Sequence, residues 1–244
     1  MNAAPEVQLR LLDLQQADSA LDRIAQKRRT LPELAEIERI DARLTQLRDE
    51  IVAAETELSD VAMAERRIDN DVEVVRSRMT RDRQRLDAGL VGSPKELESL
   101  QSEIESLGRR QAELEDLELE QMELREGVER RLNALRAEAA ELTEAKAAAE
   151  SGRDVAYTDL DAEAGERQRE RDALAAELAG PLLDLYEKLR ASSGGQGAAA
   201  LHRGRCEGCH LTLSPIDLDR IKKAPADEVL RCEECRRILV RRAE

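Results

Sequence analysis

From Ile37 to Leu86 the apolar side chains recur at alternating spacings of three and four residues: Ile37, Ile40, Leu44, Leu47, Ile51, Ala54, Leu58, Val61, Ile68, Val72, Val75, Met79 and Leu86, with only Glu65 and Asp82 polar along the line. A stripe that narrow reads as the seam of a left-handed coiled coil, not as a helix lying on a broad core. At about 1.5 Å per residue it is roughly 75 Å of helix. Composition points the same way. The 244 residues include no Phe, no Trp and only two aromatics, Tyr157 and Tyr186, while 38% are charged. A deep core normally draws on aromatic rings that each bury roughly 150–250 Å². Ala, Glu, Leu and Arg in helical periodicity belong to long helices instead. A large α/β enzyme with a deep apolar pocket is thereby disfavoured.

The pattern stops at Asp87-Ala88-Gly89-Leu90-Val91-Gly92 and restarts at Ser93-Pro94-Lys95-Glu96. Ser93 suits an N-cap, Pro94 the first helical position and Glu96 the returning acid of a capping box. A second seam follows through Leu97, Leu100, Ile104, Leu107, Gln111, Leu114, Leu117, Gln121, Leu124, Val128, Leu132, Leu135, Ala139 and Leu142. Its spacing slips to three-three at Gln111–Leu114–Leu117 and to four-four at Leu124–Val128–Leu132, which predicts local distortion of the supercoil. Two equal seams joined by a short loop fold back as an antiparallel hairpin. Position 86 then faces about 97, Arg85 faces Glu98, and Arg78 faces Glu105. The predicted fold is mainly α: a long antiparallel coiled-coil helical hairpin over 1–190, with its turn near 87–95 and a break at Leu31-Pro32. Thr143–Asp172 is poor in large apolar groups and is its weakest stretch. Residues 191–200, with Ser192-Ser193-Gly194-Gly195, read as a flexible linker. Residues 201–244 form a separate small domain with short β-strands.

The net charge of −14 is unevenly spread. Residues 201–244 carry ten Lys/Arg against eight Asp/Glu, so the acidity belongs to the rod, which repels nucleic acid along most of its length. The opening Met1-Asn2-Ala3-Ala4-Pro5-Glu6 shows neither a basic nor an apolar leader segment, and no run approaches the ~20 apolar residues of a membrane span. A cytoplasmic location is expected, where the four Cys stay reduced and available to metal.

Those Cys form two knuckles, Cys206-Glu207-Gly208-Cys209 and Cys232-Glu233-Glu234-Cys235, separated by 22 residues. Two such pairs brought together make the closed tetrahedral site that structural zinc prefers. Cys206, Cys209, Cys232 and Cys235 are the candidate ligands, with one Zn²⁺ per chain. Leu211-Thr212-Leu213, Val229-Leu230 and Ile238-Leu239-Val240 read as strands around them, and Ser214-Pro215 opens a helical turn. A domain this small without aromatics needs the metal to fold. Cys206-x-x-Cys209-His210 also fits a haem attachment pattern, but that would leave the second pair unexplained. His210 is read as an ordinary exposed side chain.

These features resemble the bacterial C4-type zinc ribbon family, in which a long helical hairpin carries a C-terminal zinc ribbon. The resemblance rests on Ser93-Pro94-Lys95-Glu96-Leu97-Glu98-Ser99-Leu100-Gln101-Ser102-Glu103-Ile104, on the two knuckles, and on Cys235-Arg236-Arg237-Ile238-Leu239. It spans almost the whole chain. It implies that the four Cys bind zinc. It also implies a role of adaptor or chaperone class, since relatives are implicated with a specialised sigma factor, with flagellar or secretion components and in RNA binding. Two positions depart from the pattern: Arg236 stands where Gly is usual, and Val240 where an aromatic is usual.

Function is read in three ways. A non-enzymatic adaptor that binds a protein partner through ribbon and rod ranks first, because four thiolates and one Zn²⁺ contribute −2 and leave the loaded ribbon near neutral. A nucleic-acid binding protein, acting through Arg231, Arg236, Arg237, Arg241 and Arg242, ranks second; no aromatic is present there to stack on a base. A spacer that forms a homodimer ranks third. Leu90 and Val91, in the turn, either cap the seam or form a small docking knob. No phosphate-binding loop, His-Glu-x-x-His or nucleophile elbow is present, so catalysis is not expected.

Overall fold

Each of the five helices among the described residues begins at a proline: α1 at Pro5–Arg29, α2 at Pro32–Asp87, α3 at Pro94–Glu177, α4 at Pro181–Ser192 and α5 at Pro215–Lys223. Proline lacks the N–H that a first helical turn leaves unpaired, and its fixed φ suits that position. The computed structural model describes residues 1–178 and 180–242; residues 243 and 244 of the C-terminal domain lie outside them. The fold is mainly α, a long helical hairpin with a small strand-containing C-terminal region. It divides into two units, Glu36–Ala149 and Met1–Ala35 with Glu150–Glu244.

In the first unit α2 and α3 run antiparallel. Ion pairs stitch their flanks: Asp41 to Lys146, Glu55 to Arg136, Glu57 to Arg131, Glu65 to Arg125 and Arg76 to Glu115. Near the turn Arg78 pairs with Glu103 and Arg85 with Glu96, two residues earlier on α3 than the sequence register predicts. At the turn, Gly89 takes a φ of 66°, Glu96 N–H donates to Ser93 Oγ at 3.2 Å, and Glu96 Oε2 accepts from Gly92 N–H at 3.1 Å. Leu90 is exposed and Val91 is half-buried. The α2 seam buries Ile40, Leu47, Ala54, Val61, Val72, Met79 and also Asp82, one of whose carboxylate oxygens has no hydrogen-bond partner.

The α3 seam differs from the sequence expectation. The inward side of the helix keeps unbroken heptad spacing through Leu107, Gln111, Leu114, Glu118, Gln121, Arg125, Val128 and Leu132. Leu117 and Leu124 are exposed on its flank, and Glu118 and Arg125 stand in the seam instead. The helix holds its phase because a slip would break alignment with two regular stretches. The polar layer is tolerated because Arg125 donates to both oxygens of Glu65, at 2.8 and 3.1 Å.

In the second unit α1 lies beside the end of α3, with Arg28 paired to Asp161 and stacked on Tyr157 at 4.5 Å, and Arg10 paired to Glu177. The alanine-rich stretch Thr143–Asp172 stays helical throughout. Helix α4 follows the break at Gly180, whose φ of 103° only glycine adopts freely. The C-terminal strands β1 (Ala198–His202), β2 (Arg205–Cys206), β3 (Leu230–Arg231) and β4 (Ile238–Arg241) form one sheet in the order β2-β1-β4-β3, with β1 parallel to β4. Leu211-Thr212-Leu213 is not a strand; Thr212 alone bridges to Arg205.

Sequence reading also missed β1. Ala198, Ala199 and Ala200, expected in a flexible linker, are buried, because three small side chains let this strand pass close beneath the first knuckle. The linker is anchored along its length. A Cβ on Gly197 would stand 2.5 Å from the Tyr186 carbonyl oxygen, and Gln15 Oε1 accepts from Gly197 N–H at 2.7 Å. One apolar cluster therefore joins helices to sheet: Leu11, Leu14, Leu178, Leu182, Tyr186, Leu189, Ala198, Ile238 and Val240. A second cluster fills the sheet's other side with Ala199, Cys206, Leu213, Ile221, Leu230, Cys232 and Leu239. The chain's first residues add to the join, with Ala3 N–H donating to Asp227 at 2.7 Å and Val229 N–H to Met1 at 3.0 Å. No helix of the described residues is long and apolar enough to cross a membrane.

Candidate metal centre

The two knuckles are built alike. In the first, His210 N–H donates to Cys206 O at 2.8 Å, Cys206 N–H donates to Leu211 O at 3.0 Å, and Arg205 Nε donates to His210 O at 2.8 Å. In the second, Arg236 N–H donates to Cys232 O at 2.9 Å, Cys232 N–H to Arg237 O at 3.0 Å, and Arg231 Nε to Arg236 O at 2.8 Å. The residue after each second Cys, His210 or Arg236, is left-handed, with φ of 58° and 64°. That turn aims both thiols of a pair to one side. Gly208 allows β1 to pass under the first pair, since a Cβ there would meet Ala199 Cβ at 2.8 Å.

All four Sγ atoms lie within 4.8 Å of one another, and the pairs Cys206–Cys235 and Cys209–Cys232 are both 3.9 Å apart. Four thiolates about 2.3 Å from one Zn²⁺ in a tetrahedron would stand about 3.8 Å apart, so the donor set fits zinc in both chemistry and spacing. Without a metal the thiols differ. Burial pushes Cys206 up, and pushes Cys232 up to about 12. Burial is also the largest influence on Cys235, but hydrogen bonds from the Arg237 backbone and guanidinium and from Cys232 and Cys209 outweigh it and lower the thiol to about 7. His210 is exposed on the turn.

The five arginines read as one basic face are divided by the structure. Arg237 donates to the carbonyls of Gln196, Gly208 and Ser193, tying the linker to the first knuckle. Arg241 donates to five carbonyls, those of Ile221, Ala224, Pro225, Ala226 and Glu228, and so closes the C-terminal end of α5. Both are structural. Arg231 is half-buried, its Nε committed to the Arg236 carbonyl; Arg236 and Arg242 remain outward, and Arg236 lies 3.6 Å from Glu233.

Residues 14–194 match the CT398-like coiled coil hairpin domain, and residues 205–239 match the C4-type zinc ribbon domain. The chain belongs to the CT398-like coiled coil hairpin family. Similar relatives include an uncharacterized protein of Mycobacterium tuberculosis, 36% identical over 248 residues that cover 99% of this chain and 98% of the relative. An uncharacterized protein of Mycobacterium leprae is 31% identical over 217 residues, covering 89% and 93%. A solved structure from Mycobacterium smegmatis superposes with a TM-score of 0.84 at 33% identity, covering 99% of this chain and all of that one. CT398 of Chlamydia trachomatis has a TM-score of 0.73 at 19% identity, over 97% and 98%, and shares the fold.

Within this CT398-like chain the ribbon's seating rests on residues that sequence reasoning did not single out. Asp18, only 2% exposed, accepts from Tyr186 OH at 2.6 Å and faces Arg171 at 3.1 Å and Arg190 at 3.3 Å. Gln15 donates to Gly195 O at 2.9 Å. The one available signal was a polar residue interrupting the apolar positions of α1, and nothing in one sequence distinguishes such a residue from a solvated one.

Proposed function

We propose that this protein is a non-enzymatic adaptor whose ribbon holds one structural Zn²⁺ through Cys206, Cys209, Cys232 and Cys235 and whose surfaces bind another protein. The carrying observation is the fate of Arg237 and Arg241. Their guanidinium donors are directed at eight backbone carbonyls of the linker, knuckle and α5 end, so the ribbon is seated on the helices and presented in a fixed pose. Four thiolates leave a zinc ion no open position for water, so the metal supplies shape and not chemistry. The nucleic-acid reading keeps only Arg236 and Arg242 as outward arginines, in a chain whose net charge is −14. The test is affinity isolation of the full-length chain from its own cells at low and moderate salt. A protein partner retained in near-stoichiometric amount supports the adaptor. Retention of nucleic acid alone, lost steeply with salt and with Arg236→Ala/Arg242→Ala, would replace it.

A further inference from the structure

The middle of the hairpin has an unusual surface. Between the cross-helix pairs Glu65–Arg125 and Arg76–Glu115, α3 buries no side chain: none is buried from Glu115 to Gly127. Leu117 and Leu124, 41% and 48% exposed, stand one heptad apart on the same flank, and Glu120 lies between them at helical spacing. Leucines at that spacing form the apolar line that a further helix would cover. Between Arg110 and Arg125 the helix carries six acids and no base. Asp116, Glu118, Glu120 and Glu123 have no ion pair among the described residues, while Glu113 pairs with Arg110 and Glu115 with Arg76. Gly127 continues the same flank, and a Cβ there would meet nothing within 4 Å, so packing inside the hairpin does not explain it.

We propose that this flank of α3, centred on Leu117, Glu120 and Leu124, is a docking surface for a basic amphipathic helix of a partner protein. The inference rests on the adaptor reading and names its surface. Charge decides the occupant. Unpaired acids beside exposed leucines match a helix with an apolar stripe bordered by Lys or Arg. A second copy of this chain would bring the same acids against themselves, and nucleic acid would be repelled.

The test uses the full-length chain and a labelled 21-residue peptide with Leu at heptad a and d positions and Lys elsewhere, read by fluorescence anisotropy. An all-Glu counterpart of the same pattern is the control. Binding of the Lys peptide is expected to weaken at least tenfold in Leu117→Gln/Leu124→Gln, and several-fold in Glu120→Gln/Glu123→Gln. The Glu peptide is expected not to bind. Equal affinity of wild type and the Leu117→Gln/Leu124→Gln variant, or binding of the Glu peptide, would overturn the proposal. A photo-crosslinker placed at 117, at 124 and, on the ribbon, at 211 then distinguishes the sources in cells. Crosslinks from 117 and 124 to a basic, heptad-patterned segment of another protein support the surface. Crosslinks there only to this chain or to RNA overturn it. Protein crosslinks from 211 alone would leave the adaptor standing and remove this surface. Both leucines are exposed, so the Gln variants should unfold at the wild-type temperature.

Discussion

Tyr186 OH donates to Asp18 Oδ2 at 2.6 Å, and this contact between α4 and α1 is the polar centre of the base on which the ribbon sits. Asp18 also neutralises Arg171 and Arg190, whose side chains are themselves mostly buried. Removing one partner of a buried charged set leaves the others uncompensated, which costs about 3–5 kcal/mol. Asp18→Ala should therefore lower stability by that order. Tyr186→Phe, which loses only a hydrogen bond to a charged acceptor, should cost about 1.5–3 kcal/mol. Denaturant melts followed by far-UV circular dichroism check the ranking, and an equal, sub-kcal effect of both would refute the central role of Asp18.

The same contact sets an alkaline limit. Burial first, and then the hydrogen bond to Asp18, hold the Tyr186 proton well above the usual phenol range. The unfolded chain releases that proton near pH 10 while the folded chain retains it. The folded state then binds more protons, so stability is fully present below about pH 10 and falls as pH rises beyond it. Melting temperature should be level between pH 7 and 9 and drop above 10. Tyr186→Phe should show a shallower drop, and an unchanged slope would refute the assignment.

Arg236 and His210 hold left-handed backbone at equivalent points of the two knuckles. A side chain in that region costs about 1–2 kcal/mol, part of which glycine returns through greater freedom in the unfolded chain. Arg236→Gly should therefore stabilise the ribbon by about 0.5–1 kcal/mol, and Arg236→Val should destabilise it by more. The exposed pair with Glu233 is too weak to reverse the sign. The rate of zinc transfer to a colorimetric chelator reports the effect: slower for Gly, faster for Val.

Metal removal should act locally. Cys232→Ser, or chelation, is expected to reduce bound zinc from one per chain to none by elemental analysis. Helices α2 and α3 depend on their own seam and ion pairs, so helical circular dichroism should change by only a few per cent. Amide exchange should rise over the strands and knuckles of 198–241. Ile238 and Val240 pack among the helices, so the sheet's inner face should keep more protection than the knuckles. A global loss of helix on chelation would show that the zinc governs the whole fold.

What could be read in advance divides along physical lines. Heptads, the Ser93-Pro94 restart and the Cys spacing are local codes in which each residue's neighbours in sequence determine its role. They gave the hairpin and the four thiols. The seating of the ribbon was hidden because it depends on residues far apart, with Gln15 bonded to Gly195 and Arg237 reaching back to Ser193. Ala198–Ala200 looked like linker because small residues signal flexibility on the surface and close packing in the interior, and sequence alone does not say which. The two-residue shift of the Arg78 and Arg85 pairs reflects turn geometry, which periodicity does not encode.

The α3 seam offers the sharpest comparison between pattern and packing. A slipped seam would bury Leu117 and Leu124 and leave Gln111 and Gln121 as its polar positions. The structure instead keeps strict spacing, half-burying Gln121 between Glu118 and Arg125. The two arrangements predict opposite mutational results. With the seam in phase, Gln121→Leu places an apolar group against α2 and should stabilise the hairpin by about 1–2 kcal/mol. Leu117→Gln, on the flank, should change stability by about 0.5 kcal/mol or less. Leu114→Gln, at a buried position 3% exposed, should cost at least 2 kcal/mol. Urea melts of the three variants decide: if Leu117→Gln proves as costly as Leu114→Gln, the helix is slipped, and the exposed leucine flank with its proposed basic partner falls with it.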